Sequence, residues 1–335
     1  MALGLVRSSH RHGPVGDQEL LRRGREVVDL EAAALAQLGA SLDDTFVQAV
    51  SLLLEATGRI VVTGMGKSGH IARKVAATLA STRSPAIFVH PAEASHGDLG
   101  MLVPGDVLLA FTNSGGTPEL RSIVAHAQAL AVPVIGITSR RDAPVLRHAD
   151  VTLVLPPARE ACPANIAPTT STVLMLALGD ALAMATMHAR GTSREGLQAL
   201  HPGGSIGQRL TRVSAIMHLG ETLPLVQQAM PMREVIVRMT SMSFGVAGVV
   251  DADGRLVGVI TDGDLRRHID ELMDATAVEV MTRDPVTVTA DTFAEDCVAL
   301  MEQCRITSLF VTDVAAPGRP VGLVHVHDFL RLGTV

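Results

Sequence analysis

The chain has 335 residues, 47% of them hydrophobic and 19% charged, with a formal net charge of -6. That length exceeds one average domain and that apolar content can fill large cores, which predicts two or three folded units and excludes a broadly disordered chain. The acidic balance argues against a general nucleic-acid binder, and aromatics at 2%, with no Trp or Tyr, leave few platforms for stacked bases.

The first 18 residues lack the apolar stretch of a signal peptide and read as a ragged tail. From Gln18 to about Thr57, Leu21, Val28, Leu35 and Leu38 recur at near-helical spacing. Short β-branched runs follow at Ile60–Thr63, Ala86–Val89, Val107–Phe111, Val134–Thr138 and Val151–Leu155. Helical stretches lie between or after them, at Ile71–Ala80, Glu119–Leu130 and Thr170–Arg190. Strands alternating with helices predict βαβ units, and continuously apolar strands predict a sheet covered on both faces. The expected fold is α/β: a doubly wound, mainly parallel five-stranded sheet spanning residues 19–207. No apolar run reaches the roughly 18–20 uninterrupted residues of a membrane span. The three cysteines, Cys162, Cys297 and Cys304, are odd in number with no CxxC pair, so no disulfide framework or zinc knuckle is implied. Cys297 and Cys304, seven apart in a helical pattern, are both expected to face a core. Together these features predict a soluble, reduced, cytoplasmic protein with no membrane or nucleic-acid partner.

The remainder contains an internal repeat. Ile216-Met217 is answered by Val280-Met281, and Gly258–Asp264 by Gly322–Asp328, both at an offset of 64. Two half-units follow, 210–269 and 276–335, each read as helix, strand, turn, strand, helix (α+β) and each expected to bury its apolar face against its twin.

Two glycine-bearing loops carry the chemistry of the first unit. Gly64-Met65-Gly66-Lys67-Ser68-Gly69 follows a predicted strand and opens a helix. Its GxGxxG spelling is shared by nucleotide folds and by plain tight turns; a helix N-terminus there offers unpaired N–H groups to an anion. Lys67 is one of two lysines in the chain, the other being Lys74; everything else basic is Arg or His. A compact ammonium inside a glycine loop suits a carbonyl or enediolate oxygen better than a guanidinium fork does. Thr112–Glu119 is a second anion-type loop, again opening a helix. Two hydroxyl-bearing loops at strand ends point to one small phosphorylated ligand in the crevice. Glu160 in an Arg-Glu-Ala-Cys-Pro run, the cluster Thr169-Thr170-Ser171-Thr172, His201 in His-Pro-Gly-Gly, and His90 and His96 around Pro91–Ser95 complete the polar set. The two histidines alone make a weak metal site.

Taken together, GMGKSGHIARK, HPAEASHGDLGM, TNSGGTPEL, REACPANIAPTTST, GDALA and HPGGSIG resemble the sugar isomerase (SIS) fold family, and within it the bacterial D-arabinose 5-phosphate isomerases; the repeat resembles a pair of CBS motifs. The resemblance implies interconversion of D-ribulose 5-phosphate and D-arabinose 5-phosphate, feeding synthesis of 3-deoxy-D-manno-octulosonate for lipopolysaccharide. It implies a homotetramer that requires no cofactor and is inhibited by zinc, with His90 as a metal contact. The catalytic positions fall on Lys67, Glu119, Glu160 and His201. Substrate contacts are expected from Gly66, Ser68, His90, His96, Asn113, Ser114, Gly115, Thr117, Thr169, Thr170 and Ser171. Gly116 departs from the pattern, which commonly has an acidic residue there, and Pro118 stiffens the turn.

On this reading Glu160 is the C1/C2 base, His201 carries a proton between O1 and O2, Lys67 stabilises the enediolate, and Glu119 orients Lys67 or His201 or exchanges roles with Glu160. In the CBS pair a nucleotide-type effector, such as a downstream sugar nucleotide, would meet Thr261, Asp264 and Asp328; His325 stands where the second copy should have a hydroxyl. The rival readings are an isomerase of another sugar phosphate, a non-catalytic sugar-phosphate sensor, and a nicotinamide enzyme with Glu93 near a ribose-binding position.

Overall fold

The computed structural model describes residues 16–201 and 203–334. Most of the N-terminal tail, Pro202 of the His-Pro-Gly-Gly run and Val335 lie outside the described residues. The chain divides into two compact units after Thr192, ahead of the Gly207 boundary read from the sequence.

The first unit opens with α1 (Asp17–Ser41) and α2 (Asp44–Glu55). The sequence pattern runs through both as one helix. The break comes at Asp43, whose side chain accepts the Thr45 N–H and so caps a new helix. Then follow β1 (Ile60–Gly64), α3 (Gly66–Ser81), β2 (Ala86–Val89), α4 (Pro91–Ala94), β3 (Val107–Phe111), α5 (Leu120–Ala129), β4 (Val134–Thr138), β5 (Val151–Val154) and α6 (Thr170–Ala189). The five strands form one parallel sheet in the order β2-β1-β3-β4-β5. β1, β3 and β4 are buried throughout, as strands covered on both faces must be. Alternate residues serve opposite cores. Ile60, Val62, Leu109, Phe111, Ile135 and Ile137 face α1, α2, α3 and α6. Val61, Leu108 and Val134 face α5.

α6 is long and apolar enough to cross a membrane, but here it packs in the first of these cores through Leu174, Met175, Leu178 and Leu182. Its far end reaches the start of the sheet, where Arg190 donates to the Leu53 carbonyl at 3.0 Å. α6 therefore runs in the same sense as α3. Contact is close enough that a Cβ on Gly179 would sit 2.3 Å from Val75 Cγ2. Val75 is nine residues past Gly66 and Gly179 nine past Thr170, so the two helices begin at the same height.

The second unit begins with α7 (Arg194–Leu200) and α8 (Ser205–Arg209). The first repeat is β6 (Leu225–Gln227), α9 (Met232–Met242), β7 (Val246–Val250), β8 (Leu256–Thr261) and α10 (Asp262–Arg267), followed by α11 (Ala277–Val280) and β9 (Thr282–Arg283). The second is β10 (Thr287–Thr289), α12 (Ala294–Cys304), β11 (Ser308–Thr312), β12 (Pro320–His325) and α13 (Val326–Leu332). Each copy thus carries one strand more than the sequence suggests, β6 and β10, paired parallel to β7 and β11. The offset of 64 also conceals two compensating length changes. α9 and α12, and β7 and β11, are 62 residues apart, whereas β8 and β12 are again 64 apart, because the second copy's hairpin loop is two residues longer. Cys297 is buried, with burial pushing its thiol up to about 12. Cys304 is exposed, contrary to the helical spacing. It is the last residue of α12, where Arg305 turns left-handed and the chain leaves the core.

Candidate active site

β1 leads to β2 on one side and β3 lands on the other, so the loops after β1 and β3 diverge to opposite faces of the sheet. That strand order makes the carboxyl ends of β1 and β3 the topological switch point, where open α/β sheets bind ligands. Gly64 and Phe111 stand side by side in register at that edge. The two loops singled out in the sequence emerge there.

The loop after β3 is tied internally and to β4. Thr112 and Thr117 share a hydroxyl bond of 2.9 Å, and the Gly115 N–H donates to Thr112 Oγ1. Ser139 donates to Asn113 Oδ1 at 2.5 Å, and its N–H reaches the Asn113 carbonyl. Gly115 has φ +66 and lies so near Ala143 that any Cβ would overlap it, so only glycine closes this turn. Ser114 Oγ accepts the Gly116 N–H, which leaves the Ser114 O–H free to donate to a ligand. Glu119 caps α5 in position and is half-buried. Among the described residues its carboxylate has no hydrogen-bond or ion-pair partner.

Lys67 is the second residue of α3 and is exposed. Of the two lysines, Lys74 is paired with Asp180 at 2.5 and 2.6 Å. Lys67 has no carboxylate partner among the described residues. It lies in the first turn of α3, the helix that packs on α6 through Val75 and Gly179.

At that start lies Glu160. Its Oε2 accepts the Thr169 N–H at 2.8 Å, the Thr169 hydroxyl at 3.1 Å and the Ser171 N–H at 3.3 Å, and its Oε1 accepts the Ser171 hydroxyl. Burial raises the Glu160 carboxyl, but the bonds from Ser171 and Thr169 outweigh it and hold the group below its ordinary value. The positive end of a 20-residue helix acts in the same direction. Thr169 and Ser171, read from the sequence as substrate contacts, are therefore occupied with Glu160. Thr170 is the member of the cluster left open: its Oγ1 is buried with no partner among the described residues.

His90 follows β2 and caps α4 in position, edge-on to Phe88, with its Nδ1 buried and without a partner among the described residues; His96 is exposed beyond α4. No group of three or more His, Cys, Asp or Glu side chains among the described residues is placed to hold a metal ion. His201 falls in the second unit, at the end of α7. Its Nδ1 lies 2.8 Å from the Leu197 carbonyl. A carbonyl only accepts, so Nδ1 carries the proton and Nε2 of the neutral ring is the basic nitrogen.

The two repeats enclose a cavity of about 650 Å³ between them. Thr261 lines it, together with Asp262, Arg266, Arg305, His325 and His327; apart from Thr261 and His325, the sequence reading did not select these. Asp264 and Asp328 are not on its wall. Each closes a capping box instead, on Thr261 and on His325. Asp264 also accepts from Thr282 and Arg267, and Asp328 from His218. The residues missed in the first unit, Ser139 and Asn165, act through other side chains, and only the folded loops bring them to those partners.

The family described as SIS domain matches residues 52–185, and that described as CBS domain matches residues 214–271 and 277–334. The arabinose 5-phosphate isomerase KdsD of Pseudomonas aeruginosa is 43% identical over 95% of this chain and 98% of its own length. The protein of the same name from Escherichia coli K12 is 41% identical over 93% and 95%. A solved Escherichia coli CFT073 protein in complex with arabinose 5-phosphate aligns with a TM-score of 0.54 and 32% identity, covering 56% of this chain and 100% of that one. With a doubly wound sheet carrying Lys67 and Glu119 on the loops at its switch point, Glu160 at the start of α6 and a tandem repeat after it in sequence, the chain belongs to the KdsD family of arabinose 5-phosphate isomerases, an SIS domain followed by two CBS domains.

Proposed function

We propose that the protein interconverts D-ribulose 5-phosphate and D-arabinose 5-phosphate by proton transfer through an enediol. The observation that carries this reading is the placement of Lys67 and Glu119 at the starts of the two helices that leave the switch point, without a carboxylate or cation partner among the described residues, with Glu160 at the start of α6. From the aldose, a carboxylate takes the C2 proton and returns it to C1 while a proton passes from O2 to O1; Lys67 balances the charge that builds on oxygen. The hydrogen bonding favours one of the two role assignments left open by the sequence. Glu160 has its oxygens committed to four donors and its basicity lowered, whereas Glu119 has both oxygens open. Glu119 is accordingly the C1/C2 base, and Glu160 is a fixed anion that orients Lys67 and the substrate hydroxyls. The resemblance implies His201 as the proton carrier between O1 and O2, and its basic nitrogen is Nε2. Phosphate is received by the Gly66 N–H with the Ser68, Ser114 and Thr117 hydroxyls, the Gly115 N–H being taken by Thr112, and Thr170, Asn113, His90 and His96 contact the sugar.

The test is metal-free enzyme with D-arabinose 5-phosphate in D₂O, followed by proton NMR. D-Ribulose 5-phosphate should form with solvent deuterium at C1. No conversion by folded enzyme would overturn the reading in favour of another sugar phosphate or a sensor.

The same proposal includes a cytoplasmic enzyme that needs no cofactor, supplies 3-deoxy-D-manno-octulosonate synthesis and is inhibited by zinc at the open Nδ1 of His90. Self-association to a tetramer is supported by Leu20, Leu21 and Val28, which leave α1 with exposed apolar side chains. A nucleotide-type effector is proposed for the CBS cavity, where Thr261 offers a hydroxyl. The second copy responds to pH. Burial lowers the pKa of His325 below its ordinary 6.5, and His327, His218 and Arg331 add to this while Asp328 opposes it. Its Nδ1 accepts the His327 N–H as the cap of α13, a bond that a proton on Nδ1 abolishes. A depressed folded pKa gives stability that is present above the unfolded value and is lost as pH falls. The unfolding midpoint of the CBS unit should therefore drop as pH is lowered from about 7.5 to about 5.5. His325→Thr, which restores the hydroxyl cap of the first copy, should flatten that dependence in a calorimetric pH series.

A further inference from the structure

The backbone of Glu160 is held from the far side of its own loop. Its N–H donates to Asn165 Oδ1 at 2.7 Å. Asn165 stands at φ +54, a left-handed conformation that asparagine adopts more readily than most residues. Its own N–H donates to the Cys162 carbonyl at 2.9 Å. Sulfur closes the turn: the N–H groups of Ile166 and Ala167 donate to Cys162 Sγ at 2.9 and 3.0 Å. Both contacts are short for bonds to sulfur, which is ordinarily a weak acceptor. The Ile166 and Ala167 N–H groups accordingly hold the Cys162 thiol below its ordinary value. On the other strand of the loop, the Ala161 N–H donates to Thr169 Oγ1 at 2.8 Å, and Thr169 itself clamps the Glu160 carboxylate. Residues 160–169 thus make a closed ring of bonds that includes both the backbone and the carboxylate of Glu160.

We infer that Cys162 and Asn165 are positioning residues for the isomerisation, the two ends of a latch that keeps Glu160 seated on the N-terminus of α6. Neither side chain bonds to the carboxylate; both act through the loop. The inference rests on the reading of Glu160 as part of the isomerase site. Small misplacements of such a group cost up to ~10²-fold in rate.

The experiment compares full-length C162A, C162S, N165A and C162A/N165A in kcat, KM and pH profile. C162A and N165A should each lower kcat about 10- to 100-fold, with KM within about threefold. The acid limb of kcat should move to higher pH, as Glu160 loses donors. C162S, which keeps an acceptor for both N–H groups, should stay within about threefold of wild type. Because one latch is broken at either end, the double variant should be no slower than the slower single variant. Wild-type kcat and pH profile in C162A and N165A, a loss of thermal stability alone, or losses that multiply in the double variant would overturn the inference. Should C162A fail to fold, iodoacetamide decides: Cys162 sulfur displaces iodide and the alkylated sulfur can no longer accept both N–H groups. Wild type should be inactivated and C162S spared; equal inactivation of C162S overturns the latch. E160Q separates the two readings. A fully active E160Q enzyme removes the role of Glu160 itself, whereas an inactive E160Q beside a wild-type C162A removes only the latch.

Discussion

Glu119→Gln is expected to lower kcat by about 10³-fold while leaving KM for D-arabinose 5-phosphate within a few-fold, since a general base contributes about 10²–10⁴ in rate. The amide keeps the size of the side chain and removes the proton acceptor. Because the Glu119 carboxylate has no partner among the described residues, the change breaks no bond of the fold, and the unfolding midpoint should not move. Glu160→Gln should behave differently. Its carboxylate accepts two N–H groups and two hydroxyls at the start of α6, and an amide can present only one oxygen to them. That variant should lose activity and stability together, with the midpoint of the first unit falling by several degrees, as expected when a half-buried charge-assisted cluster of hydrogen bonds at a helix start is removed. Steady-state kinetics and thermal unfolding of the pair distinguish the assignments. An active Glu119→Gln beside an inactive but fully stable Glu160→Gln would return the base to Glu160.

Lys67→Met should cost about 10²–10³ in kcat, the usual effect of removing one preorganised group from a developing oxyanion. Lys67→Arg should recover little of it. The guanidinium is planar and more weakly hydrated, and its charge is spread over a fork that does not fit a single enediolate oxygen. Lys67 is exposed and unpaired among the described residues, so neither variant should change the unfolding midpoint. In D₂O, exchange at C2 of D-arabinose 5-phosphate should slow in step with kcat, because both require the enediolate that Lys67 stabilises. Exchange at the wild-type rate would move Lys67 from the chemistry to substrate binding.

The strands of the first unit were legible in the sequence nearly to the residue, because each is a short apolar run bounded by turn residues and buried on both faces. The two loops were legible for a related reason: glycines and hydroxyls mark the places where a parallel strand gives way to a helix. The break between α1 and α2 was not, since apolar residues keep helical spacing through Leu42 and a single side-chain cap at Asp43 makes the turn. Nor was the true offset of the CBS copies, because two length differences of two residues cancel over the repeat.

The sequence by itself determined the residue types available to the reaction: one unusual lysine, two carboxylates and a histidine beside glycine loops. Which carboxylate is open and which is clamped was decided by tertiary structure alone. Thr169 and Ser171 are nine and eleven residues from Glu160 and carry no local signal of contact. Only when the loop of residues 160–169 closes on the start of α6 do their donors converge on one carboxylate. Local pattern reports the conformation a few residues prefer; the protonation and commitment of a side chain depend on groups brought to it by packing.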